Sequence, residues 1–223
     1  MRLDGLRTFG QSLTSLVFPN YCPECQEEFP TGKGWACESC WLKLSPARKG
    51  LWAKQGTLKM PVFVAFHYND LARTLIHQMK FYGREDIAQK LGRFAAERLL
   101  LDGVEWPVEA IVPIPLHPVR VRERGYDQNL SLAHGIAEIT GLPIRTDLIR
   151  RTRHTSAQSR LSDKERLVNL LGAFELTSSS TDTVPSGILF VDDVIHTGAT
   201  IAGCIDVLRQ STDFHPFVMV ACG

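Results

Sequence analysis

Two constellations in the 223-residue chain carry residue types that can do chemistry. The first is a quartet of thiols, Cys22, Cys25, Cys37 and Cys40, spaced C-x2-C-x11-C-x2-C. Each C-x2-C places two thiolates on one tight turn, and two such turns complete a tetrahedral Zn²⁺ site. All four positions are thiolate candidates, which leaves no open place for substrate, so the ion would be structural. The second lies between residues 188 and 200. Ile188-Leu189-Phe190-Val191 reads as a buried strand, and Asp192 and Asp193 sit where that run ends. His196 and the turn Thr197-Gly198-Ala199-Thr200 then open into an apolar-periodic helix through Ile201, Cys204, Ile205 and Leu208. A glycine-containing turn at a helix start offers N–H groups to a phosphate. The adjacent carboxylates can hold sugar hydroxyls, or Mg²⁺ that shares substrate phosphates. Together they describe a site for a phosphate ester of a sugar.

The rest of the chain must position these groups. With 44% hydrophobic and 22% charged residues it reads as a globular protein, and a net charge of +1 gives no whole-molecule pull toward nucleic acid or membrane. No apolar run approaches the ~18 residues of a membrane span. Leu3, Leu6, Phe9, Leu13 and Leu16 recur at helical spacing, interrupted by Asp4, Arg7 and Gln11, which favours an amphipathic helix over a signal peptide. The expected location is cytoplasmic. Residues 45–58 read as a linker, dividing the chain into a cysteine module at 1–58 and a larger domain at 59–223. So few residues cannot build a core, so metal binding should supply much of the module's folding free energy. In the larger domain, strands near 62–68, 110–115, 188–191 and 217–220 alternate with helices through Leu71–Met79, 86–101, 127–140 and 201–208. That alternation indicates an α/β fold with a mostly parallel sheet, with ligands at the carboxyl ends of its strands. Cys204 and Cys222 read as core packing.

Basic and aromatic residues add further candidates. Trp35, Trp41 and Trp52 lie among Lys33, Lys43, Arg48, Lys49 and Lys54; they either fill a miniature core or stack the bases of single-stranded DNA. Residues 113–166 hold ten Lys and Arg against six Asp and Glu, a local excess inside a near-neutral chain. Within them Arg120, Arg122 and Arg124 alternate and cannot share one helix face, so one or two would meet phosphate. Residues 150–158 carry Arg151 and Arg153 and read as a basic loop or as a groove for a nucleic-acid backbone.

Several blocks together resemble known families. The stretch around Asp192–Thr200 is similar to the phosphoribosyl pyrophosphate (PRPP) loop of type I phosphoribosyltransferases, in which two acids take the ribose hydroxyls and the following turn wraps the 5-phosphate. Val112-Pro113-Ile114-Pro115-Leu116-His117, Arg122-Glu123-Arg124-Gly125-Tyr126-Asp127-Gln128 and Gly172-Ala173-Phe174 accompany it, behind the four-cysteine module. That combination resembles the ComF competence-protein family, including its GntX-like members. The resemblance implies a type I phosphoribosyltransferase fold behind a small four-cysteine zinc ribbon, PRPP bound with Mg²⁺, and an association with DNA uptake and transformation. It places the catalytic and ligand-binding roles on Asp192, Asp193, Thr197, Gly198, Ala199 and Thr200, with the closing arginines Arg151 and Arg153. Leu116 to Val119 would be the pyrophosphate-binding turn. His196 is either a general base on an acceptor nitrogen or a loop residue whose backbone alone meets phosphate. The competing reading is a single-stranded-DNA-handling protein that keeps the fold as a scaffold or nucleotide sensor. A third is an interaction module docking competence or recombination proteins.

Overall fold

The structure is a computed structural model describing residues 20–22, 24–29, 36–44, 46–47, 60, 62–103, 106–153, 172–177, 184–195 and 197–223. The helix expected over Leu3–Leu16, most of the linker at 45–58, Trp35, Trp52, His154–Gln158 and His196 lie outside the described residues. The chain separates into two compact units, Met1–Ser45 and Pro46–Gly223. In the first, β1 (Asn20–Tyr21) pairs antiparallel with β2 (Glu28–Phe29), and a single helical turn, α1 (Glu38–Trp41), follows. Among its described residues, Cys22, Ala36, Cys40, Trp41 and Leu44 are buried.

In the second unit, β3 (Val62–Phe66) leads to α2 (Asp70–Phe81) and α3 (Glu85–Leu101), then β4 (Ala110–Pro113). Next come α4 (Pro118–Arg124), α5 (Gln128–Thr140), β5 (Ile149–Arg151) and β6 (Phe174–Leu176). Last are β7 (Gly187–Val194), α6 (Ala199–Arg209) and β8 (His215–Cys222). The main sheet has the order β3-β8-β7-β4, parallel at every pairing, as the alternating pattern predicts. Its strands are nearly continuous apolar runs because helices cover them. Ile188, Phe190, Val218 and Val220 share a core with Ile201, Cys204, Ile205 and Leu208 of α6, so Cys204 is packing as expected. Burying a side chain such as Phe190 contributes about 2–3 kcal/mol.

Two features aim helices at the carboxyl edge of this sheet. The first is capping. Asn69 Oδ1 accepts from the Ala72 N–H at 2.8 Å at the start of α2, and Asp127 Oδ1 accepts from the N–H groups of Asn129 and Leu130 at 2.9 and 3.1 Å at the start of α5. The second is a close crossing. A Cβ on Gly92 of α3 would run into the Leu132 carbonyl of α5, and one on Gly135 into the Gln89 carbonyl of α3. Only glycine lets these two backbones approach so closely.

Two expectations shift. The ladder does not stop at Val191: Asp192 stands opposite Val220 and Val194 opposite Cys222, so both acids belong to β7 itself. The arginine-rich stretch after residue 148 begins as a strand, with Arg151 paired to Phe174 across the small antiparallel β5–β6 sheet.

Candidate functional site

Asp192 and Asp193 lie in the last three residues of β7, where successive side chains leave opposite faces of the strand. Two helices surround them with polar groups. Lys80, in the last turn of α2, donates from Nζ to Asp193 Oδ1 at 2.9 Å. Gln128, the first residue of α5, donates from Nε2 to Asp193 Oδ2 at 3.2 Å. Its neighbour Asn129 donates from Nδ2 to Asp192 Oδ1 at 3.0 Å and to the Ile114 carbonyl at 2.9 Å. The Asp193 N–H also donates to Asp192 Oδ1, at 2.9 Å. Gln128, Asn129 and Asp193 are buried, whereas Asp192 keeps partial exposure. Burial, reinforced by the charge of Asp193, pushes the Asp192 carboxyl up to about 7 against the pull of Lys80 and Asn129. One further bond ties the two helices: the Tyr126 hydroxyl donates to the Met79 carbonyl at 2.5 Å, joining the residue before Lys80 to the segment before Gln128.

After β7 the chain turns at Gly198, whose φ of 72° is the left-handed conformation that glycine adopts without strain, and α6 begins at Ala199. The N-cap residue, Gly198, has no side chain with which to cap this helix start. The Thr197 hydroxyl accepts from the Ala199 N–H at 3.4 Å, and Thr197 and Thr200 are half-buried. The start of α6 therefore follows the acids within one turn.

The arginines are distributed differently from the sequence expectation. The stretch Leu116–Val119 is not wholly a loop, because α4 begins at Pro118 and His117 caps it, with Nδ1 accepting from the Val119 N–H at 3.2 Å. Arg120 pairs with Glu123 at 3.1 Å, and Arg122 is exposed. Arg151 stacks its guanidinium over the Phe174 ring at 5.4 Å, on a strand rather than in a loop. Burial lowers its pKa, Cys204 and Asp192 counter that, and Arg120 adds to it, so Arg151 feels Asp192 electrostatically. Arg153 is exposed just beyond β5.

In the first unit the sulfurs of Cys22, Cys25, Cys37 and Cys40 all lie within 4.8 Å of one another, and Cys25 and Cys37 are 3.5 Å apart. A metal at ~2.3 Å from four sulfurs needs S···S edges between those limits, so the quartet can hold a metal ion. The first knuckle closes with the Gln26 N–H donating to the Cys22 carbonyl at 2.8 Å, with Gln26 at a positive φ of 60°. The Ser39 hydroxyl, then the Cys40 backbone, draws the Cys37 thiol down to about 6. Burial raises the Cys22 thiol, but backbone N–H groups around it more than offset this and leave it lowered. Burial and the other thiols push Cys40 up. Trp41 is only 2% exposed, so it belongs to the module's interior and offers no face for stacking a base.

Competence protein F of Haemophilus influenzae is 30% identical over 197 residues, covering 86% of this chain and 80% of that protein. The chain belongs to the ComF competence-protein family. Within the family, DNA utilization protein YhgH of Salmonella typhimurium is 33% identical over 61% of this chain and 60% of its own length. Competence protein ComFC of Streptococcus pneumoniae is 29% identical over 85% of this chain and 74% of its own. No protein-family model matches the chain. Two solved structures overlap it at low score. Glutamine PRPP amidotransferase from B. subtilis gives a TM-score of 0.40 at 20% identity over 65% of this chain and 30% of that one. Hypoxanthine phosphoribosyltransferase from Trypanosoma cruzi gives 0.35 at 14% identity over 61% and 67%. Among the described residues of this ComF-family chain, no helix is long and apolar enough to cross a membrane.

Lys80, Gln128 and Asn129 are the site residues that sequence reasoning passed over. Gln128 and Asn129 do follow Asp127 at an N-cap pattern, which marks a helix start beside the sheet edge. Lys80 has no local signal, since its partner lies 113 residues away.

Proposed function

We propose that the unit Pro46–Gly223 is a type I phosphoribosyltransferase domain that binds PRPP with Mg²⁺ and transfers its phosphoribosyl group to an acceptor nucleophile. The observation that carries this is the acid pair at the carboxyl end of β7, caged by two helix ends and followed within one turn by the uncapped start of α6. The strand end that carries the pair forms the ribose site. Thr197, Gly198, Ala199 and Thr200 take the 5-phosphate on hydroxyl and N–H donors. Fixed registry of sugar and phosphates supplies the positioning advantage. In the transfer, the bond from ribose C1 to the pyrophosphate oxygen breaks and a bond from C1 to the acceptor forms. The acceptor's proton leaves to a base, the role proposed for His196. Arg151 and Arg153 face charge that develops on pyrophosphate. Mg²⁺, when bound with the pyrophosphate, neutralises part of that charge. The cysteine quartet holds a structural zinc ion. The names of its relatives support a cellular role in competence and DNA utilization.

Calorimetric titration of the full chain with PRPP and Mg²⁺ tests this. Binding should be present, and lost by at least about 100-fold in Asp192→Asn plus Asp193→Asn, since bonds to charged groups contribute about 1.5–3 kcal/mol each. Absence of binding by folded wild-type protein rejects the reading. Handling of single-stranded DNA is the second reading. It draws on the relatives' names, and salt-dependent binding of an oligonucleotide by a chain that ignores PRPP would favour it.

A further inference from the structure

We propose that the two acids at the end of β7 are not equivalent: Asp192 is the carboxylate that contacts the pentose, and Asp193 is a positioning residue locked by Lys80 and Gln128. The assignment rests on the sugar-phosphate reading above and deepens it.

The partition follows from where the oxygens go. Both oxygens of Asp193 are taken, Oδ1 by the Lys80 ammonium at 2.9 Å and Oδ2 by the Gln128 carboxamide at 3.2 Å, and the residue is 4% exposed. Each oxygen keeps a second lone pair, but with the residue buried behind Lys80 and Gln128 a ribose hydroxyl has no open approach to it. Asp192 differs. Its hydrogen bonds from Asn129 and from the Asp193 N–H both arrive at Oδ1, and no described residue donates to Oδ2. The residue also keeps partial exposure. One carboxylate oxygen is thus anchored and the other is open, which is what a ligand carboxylate requires.

Charge gives the same division. Two adjacent carboxylates in a part-buried site cannot both stay ionised without a cation, because each disfavours the charge of the other. Lys80 supplies that cation by direct contact to Asp193, and acts on Asp192 only from a distance. The ion pair neutralises Asp193, so the negative charge a ligand hydroxyl meets at the strand end is the one Asp192 carries when ionised. Lys80 therefore acts on the ligand through Asp193, by preventing an uncompensated buried anion beside the contacting group. Gln128 completes the lock. Its Oε1 is buried and has no partner among the described residues, so a rotated carboxamide could satisfy an asparagine at position 193.

The test is calorimetry of the full chain with ribose 5-phosphate as the probe, on four variants whose folding is checked by circular dichroism. Asp192→Asn should weaken binding about 10- to 100-fold, the loss of a charged hydrogen-bond acceptor. Lys80→Met leaves Asp193 buried without its cation and should weaken binding about tenfold, while Lys80→Arg retains most of it. Adding Asp193→Asn to Lys80→Met removes the uncompensated anion and should recover most of that loss. Recovery by a second substitution is a result that a directly contacting Asp193 cannot give. A double variant that binds more weakly than Lys80→Met overturns the assignment. If Lys80→Met does not fold, Asp193→Asn alone decides: a smaller loss than Asp192→Asn supports the assignment, and an equal or larger one overturns it. Wild-type protein that does not bind ribose 5-phosphate removes the site reading altogether, an outcome distinct from binding with the two acids equivalent.

Discussion

Asn129 is 1% exposed, and its single amide nitrogen serves two acceptors, the Ile114 carbonyl and Asp192 Oδ1. Asn129→Ala removes both bonds and leaves both acceptors short in a place water reaches poorly. A neutral bond contributes about 1 kcal/mol and one to a charged group about 1.5–3, so the expected loss of stability is about 3 kcal/mol. For a chain of this size that corresponds to roughly 6–12 °C in Tm. Thermal melts followed by far-UV circular dichroism measure it, with sugar-phosphate binding on the same preparation. The carboxamide also orients Asp192, so binding of ribose 5-phosphate should weaken alongside. Asn129→Asp retains size but places an anion against Asp192, and should be worse for binding than alanine. An alanine variant that melts within a degree of wild type and binds as well would refute the reasoning, because it would mean that the cage does not hold the acid.

Further outcomes follow from the same geometry. Asp192, raised to about 7, keeps its proton across a range where an unfolded aspartate (~3.9) has lost it. The folded state then binds more protons, so the stability of the ligand-free chain should fall as pH rises between about 4 and 7. Tm measured across that window should drop, and Asp192→Asn should flatten the slope. Gly135→Ala forces a methyl against the Gln89 carbonyl and should lower the urea midpoint by the equivalent of about 1–3 kcal/mol. Removing metal with a chelator should open residues 20–44 to proteolysis while fragments of the Pro46–Gly223 unit stay protected, since a metal held by the quartet would supply much of the small unit's folding free energy. Cys22→Ser should reproduce that pattern without chelator.

The parts of the structure that repeat locally were legible. Leu71, Leu75, Ile76 and Met79 announced α2, and the continuous apolar run before Asp192 announced a covered parallel strand. Strand ends were harder, because apolar pattern and backbone pairing are different things. Asp192 and Asp193 break the pattern yet stay in the ladder, as their charges are met by Lys80, Gln128 and Asn129. Arg151 reads as loop for the same reason. It is a strand residue because its backbone pairs with Phe174, a partner 23 positions along the chain, over whose ring its guanidinium lies. Trp41 carried two readings that no spacing rule separates, because its burial, at 2% exposed, is a tertiary property that spacing does not encode.

The register of β7 against β8 runs past the acids to Val194 and Cys222, so the floor of the site is woven into main-chain pairing. A floor built this way cannot reshape itself around different guests. Diversification in such a protein would have to come from the walls: the arginines, the turn before α6 and the helix ends can be exchanged while the proposed pentose socket stays constant. One scaffold could in this way serve chemically unlike acceptors, and relatives would diverge fastest at the rim and slowest along two adjacent strands.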